Sequence, residues 1–236
     1  MNGETQYRAA GGKKIVLDSS TIITISDNCM IKILKALSER EGISFLIPES
    51  VYRESVETPL RIRRFELNAI RIRDAVLEGY LTLVKSGPEV RSRLQGLQEN
   101  ADRLCTADGQ RMRLLHIGEM ETLALAKEIN ADALGIDERT TRMLVEEPEN
   151  MLAFLRKRHS GKILMDHGAV EEFRRVYGNT KIFRSTEIIA LAYEDGSFEG
   201  ELSSTKQSLE AALFAAKYAG CAVSTDEIKS YMGAVR

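Results

Sequence analysis

Tryptophan is absent from this sequence, and the aromatic residues together make up only 6% of it. No dedicated platform for stacking the bases of a single strand is therefore visible. Cysteine is equally sparse. Cys29, Cys105 and Cys221 are far apart, odd in number and without C-x-x-C spacing. That argues against a disulfide framework or a structural zinc site and for three small buried hydrophobes in a reducing compartment. The three histidines, His116, His159 and His167, share no metal-binding or catalytic spacing, and His116, beside an acidic segment, reads as structural. No apolar run approaches the roughly 20 residues that a membrane span needs. The opening MNGETQYRAAGGKK has no apolar h-region, so a polar, frayed lead-in and a cytoplasmic, non-membrane protein are expected. Charge of one sign is also lacking. With 33 Lys and Arg against 35 Asp and Glu, the molecule as a whole is no electrostatic magnet for nucleic acid.

What is present is a chain of 236 residues, 43% hydrophobic and 29% charged, able to bury a full core as one domain or one domain with an appendage. Ile15-Val16-Leu17 and Ser44-Phe45-Leu46-Ile47 read as buried strands, with Tyr80 to Val84 and Ala133 to Ile136 as further ones. Between them lie helical patterns: an isoleucine-rich stretch continuing to Ser38, an amphipathic one from Arg61 to Leu77 with Ile62, Phe65, Ala69, Ile72 and Val76 on one stripe, and a polar one from Pro88 to about Leu104. An apolar helix, Met120 to Ile129, and a charged one from Thr140 to Arg158, broken at Pro148, come next. Pro48 suits a first helical position, and Ala107-Asp108-Gly109 is a turn. Lys162 to Met165 and Lys181 to Arg184 read as edge strands. Helices at Glu187 to Tyr193, Lys206 to Ala219 and Asp226 to Met232 follow, the last behind a Ser224-x-x-Glu227 capping box. Strand–helix alternation predicts a three-layer α/β/α fold around a central parallel sheet, plus a C-terminal helical extension.

Four acids stand just after a strand or in the helix that follows it: Asp18 in KKIVLDSSTIITI, Glu54 in FLIPESVYRESV, Glu119 in HIGEMETLALA and Asp137 in ADALGIDERTT. Each has a plainer alternative. Asp18 can cap the next helix, Glu119 and Glu121 can complement a helix dipole, and Asp137 can be a surface-turn acid. The location favours chemistry, because open parallel sheets bind ligands beyond the carboxyl ends of their strands. Carboxylates in one cup are hard ligands for Mg²⁺ or Mn²⁺, which also accept phosphate oxygens. Without a cation such a cup holds a proton instead. Glu121, two residues from Glu119, points to another side of the helix and is expected to reach a second metal or a water.

The blocks IVLDSSTII, IPESVYRESV and GEMETLALAKEINADALGIDERTTR resemble, in order and spacing, the signature blocks of PIN-domain proteins. The likeness covers Lys13 to Arg142 well, and IFRSTEIIALAYEDGSF echoes longer prokaryotic PIN proteins. It implies a PIN-like domain over residues 13–195, behind a flexible 1–12, with a helical insertion around 61–115 and an extension over 196–236 packed on it. It further implies a divalent-metal-dependent ribonuclease with Asp18, Glu54, Glu119 and Asp137 as catalytic residues and ligands. RNA is the partner it implies, with an antitoxin if the chain is of the toxin type, and family habit implies a homodimer. Glu119 stands where many relatives have Asp, and Gly135 where relatives often have Ser or Thr. The size of the chain weakens the toxin assignment more than the nuclease one.

Ser19 and Ser20 beside Asp18, and Arg139 and Arg142 beside Asp137, are the candidate substrate-binding residues. The arginines of 61–113 are interleaved with acids and read mostly as a solvated face laced with ion pairs. Two other functions compete. One is a PIN-like scaffold that binds RNA or protein without cleaving. The other is a phosphatase with an Asp nucleophile, which generally wants a second Asp where Ser20 stands.

Overall fold

The computed structural model describes residues 12–198 and 201–235. The lead-in expected at 1–12 lies outside them except for Gly12. The chain begins with β1 (Lys14–Leu17), α1 (Ser19–Asp27), α2 (Lys32–Glu41) and β2 (Ser44–Pro48). A short α3 (Glu49–Tyr52) runs on as a π-helical turn over Arg53–Glu57, and a 3-10 turn over Pro59–Arg61 leads to α4 (Glu66–Leu77) and β3 (Thr82–Val84). Next come α5 (Pro88–Ala101), a hairpin of β4 (Cys105–Ala107) and β5 (Gln110–Arg111), α6 (Ile117–Glu128) and β6 (Ala133–Gly135). The remainder is α7 (Arg139–Glu146), α8 (Pro148–Arg158), β7 (Ile163–Met165), α9 (His167–Tyr177), β8 (Ile182–Phe183), α10 (Ser185–Glu194), α11 (Lys206–Ala219) and α12 (Thr225–Ala234).

Five strands form one sheet in the order β3-β2-β1-β6-β8, every neighbouring pair parallel. Helices cover both faces, so after Lys14 strand β1 runs apolar from Ile15 to Leu17 rather than alternating with polar residues. Its side chains still divide by parity: Ile15 and Leu17 enter one core with α1, α2, α10 and α11, while Val16 enters the other with α5, α6 and α9. This is the α/β/α architecture expected from the alternation of strands and helices. The chain builds outward from β1 to β2 and β3, then returns to lay β6 and β8 on the opposite side. The switch point therefore falls at the carboxyl ends of β1 and β6, where Asp18 and Asp137 follow.

Several expectations are corrected. The first helical stretch is two helices, broken where Cys29 takes a left-handed φ of 60°; Cys29 is exposed rather than buried. The helix expected from Arg61 begins only at Glu66, and Ile62 and Phe65, assigned to its apolar stripe, are 44% and 45% exposed. Pro48 pairs as the last residue of β2 and precedes the helix instead of opening it. The polar helix stops at Ala101 because the chain enters the hairpin, and β7 joins that hairpin in a separate antiparallel sheet ordered β5-β4-β7. Helix α9 escaped the sequence reading, although Asp166 caps it and Ala169, Phe173 and Tyr177 are buried at helical spacing. In α11, Leu209, Ala212, Leu213 and Ala216 are buried in the first core. Among the described residues no helix is long and apolar enough to cross a membrane.

Candidate active site

The acid that ends β1 does two things at once. Asp18 caps α1: its Oδ2 accepts from the Ser20 N–H at 3.1 Å and the Ser20 hydroxyl at 2.7 Å. Its Oδ1 is buried and has no partner. Glu54 lies on the π-helical turn after α3, where the wider winding shifts the facing of a side chain relative to a regular helix. Ser19 donates to Glu54 Oε2 at 3.0 Å. That carboxylate rests against the first turn of α6, where a Cβ on Gly118 would lie 2.7 Å from it. A methyl there would require the Glu54 carboxylate to shift. Glu119, next along α6, folds back so that Oε2 accepts the His116 N–H at 2.6 Å.

Asp18, Ser19, Ser20, Glu54, Glu119 and Asp137 all line one cleft of about 750 Å³. Burial pushes the Asp18 carboxyl up, against the lowering effect of its Ser20 hydrogen bonds, and the Glu54 charge pushes the same way as burial. Glu119 is pushed up to about 8, first by burial and then by the charge of Asp18, with the His116 N–H opposing. Carboxyl groups held in this way favour a proton or a cation over bare charge.

Asp137 sits deeper and is more fully committed. Its Oδ1 accepts the Ser185 N–H at 2.6 Å and the Thr21 hydroxyl at 3.4 Å, and its Oδ2 accepts the Ser185 hydroxyl at 2.7 Å. It ties the end of β6 to the start of α10. The Ser20 hydroxyl also accepts the Asp137 N–H at 3.1 Å, so one serine braces both strand-end acids. Ser19 and Ser20, expected to bind substrate, have hydroxyls that position Glu54 and Asp18. Gly135 is also explained by packing, since a Cβ there would stand 2.5 Å from the Leu17 side chain.

Glu121, expected to reach a second metal or a water, lies apart from the other acids. It faces away from the cleft, buried, where its carboxylate accepts the Ser50 N–H at 2.8 Å and the Ser86 hydroxyl. Each of its oxygens already has a donor, and it does not line the cleft. Arg139 and Arg142 line an adjoining cavity of about 590 Å³ that meets the cleft at Asp137, Glu138 and Gly220. Arg142 is held by the Ala222 carbonyl and Glu146, and Arg139 lies over the Phe154 ring at 4.8 Å. Sequence reasoning missed Ser185, whose only signal is a serine at a helix start. It also set aside Arg113, which lines the cleft itself.

Among the described residues no group of three or more His, Cys, Asp or Glu side chains stands ready-made around a metal position. Mg²⁺, however, needs only one or two carboxylates when water and phosphate complete its shell. The unpartnered Oδ1 of Asp18, with Glu119 and Glu54 beside it, is a hard-oxygen donor set that fits such an ion.

A family model described as "DUF3368: PIN domain" matches residues 14–149, more than half of the chain. The chain belongs to the PIN domain family. A comparison with curated proteins finds no match. The matched stretch of the PIN domain contains all four cleft acids, while Ser185, α11 and α12 lie beyond it. PIN domains are generally nucleases, so the fold on which this cleft is built is of nuclease type.

Proposed function

We propose that this PIN domain is a divalent-metal-dependent endoribonuclease, hydrolysing phosphodiester bonds of single-stranded or structured RNA with Mg²⁺ or Mn²⁺. The observation that carries this reading is the buried, unpartnered Oδ1 of Asp18 at the base of a cleft shared with Glu54 and Glu119. Asp18 and Glu119 are the residues that would hold the ion, with Glu54 beside them. A bound divalent cation makes coordinated water a better nucleophile at neutral pH and stabilises charge developing on the phosphoryl group.

The chain's own residues supply orientation. Ser20 grips Oδ2 of Asp18 and leaves Oδ1 without a partner. Ser19 and the bare Gly118 together set where the Glu54 carboxylate lies. Asp137 acts through the frame, locking α10 against the end of β6 so that the base of the cleft cannot shift.

A second reading, a scaffold that binds RNA or protein without cutting, is favoured by one fact: both oxygens of the Asp137 carboxylate already accept hydrogen bonds, from Ser185 and Thr21. Synthetic RNA cleavage separates the two. Under the nuclease reading the protein cuts RNA with Mg²⁺ or Mn²⁺, and Asp18→Asn lowers the rate by more than about a hundredfold, beyond the ~10–100-fold typical of losing an outer-sphere partner. Cleavage at full rate in excess EDTA, or by the Asn variant, would overturn it. Unaltered RNA binding with no cleavage by either protein would establish the scaffold.

A further inference from the structure

The residues expected to grip phosphate, Arg139 and Arg142, are not in the acid cleft, and the arginine that is there comes from another part of the fold. Arg113 lies on the segment between β5 and α6 and lines the same cleft as Asp18, Glu54 and Glu119. Its side chain is exposed, but the backbone that carries it is pinned. Leu114 and Leu115, the next two residues, are buried to 6% and 1% exposure. On the other side, the Met112 N–H donates to the Cys105 carbonyl at 2.9 Å, and the strand holding Cys105 is paired in turn with β7. The hairpin sheet β5-β4-β7 thus works as a bracket that presents one arginine to the cleft.

The charge of that arginine is uncommitted. Asp102, the acid on the same wall, is taken by Arg111 at 3.3 Å. Arg113 enters no ion pair among the described residues. By contrast Arg142 is tied to Glu146, and Arg184 to Glu187 and Glu227. Carboxylates repel a phosphodiester, and a cation of the protein's own at the rim adds to the attraction that a bound metal ion supplies. The planar guanidinium fork matches phosphate oxygens in two-point contact, which a lysine cannot reproduce.

We propose that Arg113 is the phosphate-binding residue of the cleft, holding a backbone phosphate of the bound strand beside the acids. The identity of that strand as RNA rests on the nuclease reading above. The hairpin sheet is then part of the substrate-binding apparatus, although it stands apart from the central sheet.

The test measures binding without cleavage. A short fluorescent single-stranded RNA is titrated with the Asp18→Asn protein, with and without Arg113→Ala, in Mg²⁺ over a range of monovalent salt. Loss of one phosphate contact on a single strand lowers the slope of log affinity against log salt by about 0.7. Arg113→Ala is expected to show that drop together with weaker binding, Arg113→Lys to keep the slope with reduced affinity, and Arg63→Ala, at a fully exposed position, to change neither. Equal slopes and affinities with and without Arg113→Ala would overturn the proposal. So would a drop that Arg63→Ala reproduces. Thermal melting of each variant shows that it is folded. Because the readout is binding, a wild-type protein that fails to cut RNA sinks the nuclease reading alone, and an unchanged slope in a protein that does cut sinks only the role of Arg113.

Discussion

The acids of the cleft commit their oxygens to the fold to different degrees. Asp18 gives Oδ2 to Ser20 and keeps Oδ1; Glu119 gives Oε2 to the His116 N–H; Asp137 gives both oxygens to its neighbours. Glu121 belongs with Asp137. Glu121→Ala would leave the buried Ser50 N–H and Ser86 hydroxyl without acceptors, a loss of about 1–3 kcal/mol, read as a lower denaturant midpoint with Mn²⁺ binding intact. Normal stability with lost Mn²⁺ binding would instead return Glu121 to the metal site. Gly118 gives the opposite pattern. Alanine in the first turn of α6 improves helix propensity by up to ~1 kcal/mol, yet its methyl would stand 2.7 Å from Glu54 Oε2. Gly118→Ala is therefore expected to keep the melting temperature while cutting metal-dependent cleavage. The shorter side chain of Glu54→Asp should recover part of the rate in the double variant and lower it in the single one. If the two substitutions simply add, the contact has no functional meaning.

At the level of elements, Arg184 fastens the last helix to the body. Only 13% of its side chain is exposed, and it bonds Glu187, Glu227 and the Ala222 carbonyl. Burial alone would raise Glu227, but its bonds from Arg184 and from Ser224 outweigh this and bring it down to about 2. A depressed carboxyl contributes stability that is present above its ordinary value of 4.5 and is lost as pH falls toward about 2. Because Glu227 is half exposed, solvent screening limits the pair to less than about 1 kcal/mol. Glu227→Gln should speed amide exchange across α12 at neutral pH and flatten its acid dependence; identical exchange in both proteins would show that α12 docks by its apolar face alone. The Ser224 and Glu227 box was legible in the sequence because a cap is a local affair of four residues. Asp18 and Asp137 were legible for the same reason, as polar residues ending apolar strands. What brings Ser185 to Asp137, across 48 residues, is the register of β8 beside β6, and no local pattern encodes that. The π-helical turn that aims Glu54 and the hairpin that delivers Arg113 were hidden likewise. The stripe from Ile62 to Val76 had helical periodicity, but at its first residues no partner surface exists to bury it.

For the whole molecule, the cleft sits where the two cores meet, at the ends of the strands they share, so its charge state is linked to global stability. Glu119 titrates near 8 in the folded protein and near 4.5 in an unfolded chain. Between those values the unfolded chain has released the proton and the folded one has kept it, so stability falls as pH rises through that window and levels off above it. A divalent ion that binds only the folded protein adds RT ln(1 + [L]/Kd), about 2.7 kcal/mol at a hundredfold excess over Kd, and it must displace that proton to do so. In EDTA the melting temperature is therefore expected to drop from about pH 5 to about pH 9 across the Glu119 window. Mn²⁺ should restore it strongly at the upper end and weakly at the lower. Glu119→Gln, which keeps an acceptor for the His116 N–H, should flatten the first curve and blunt the second. A melting temperature that rises with pH in EDTA, or equal stabilisation by Mn²⁺ at both ends, would mean that Glu119 and the ion do not compete for one place. The acids would then be there for the fold alone.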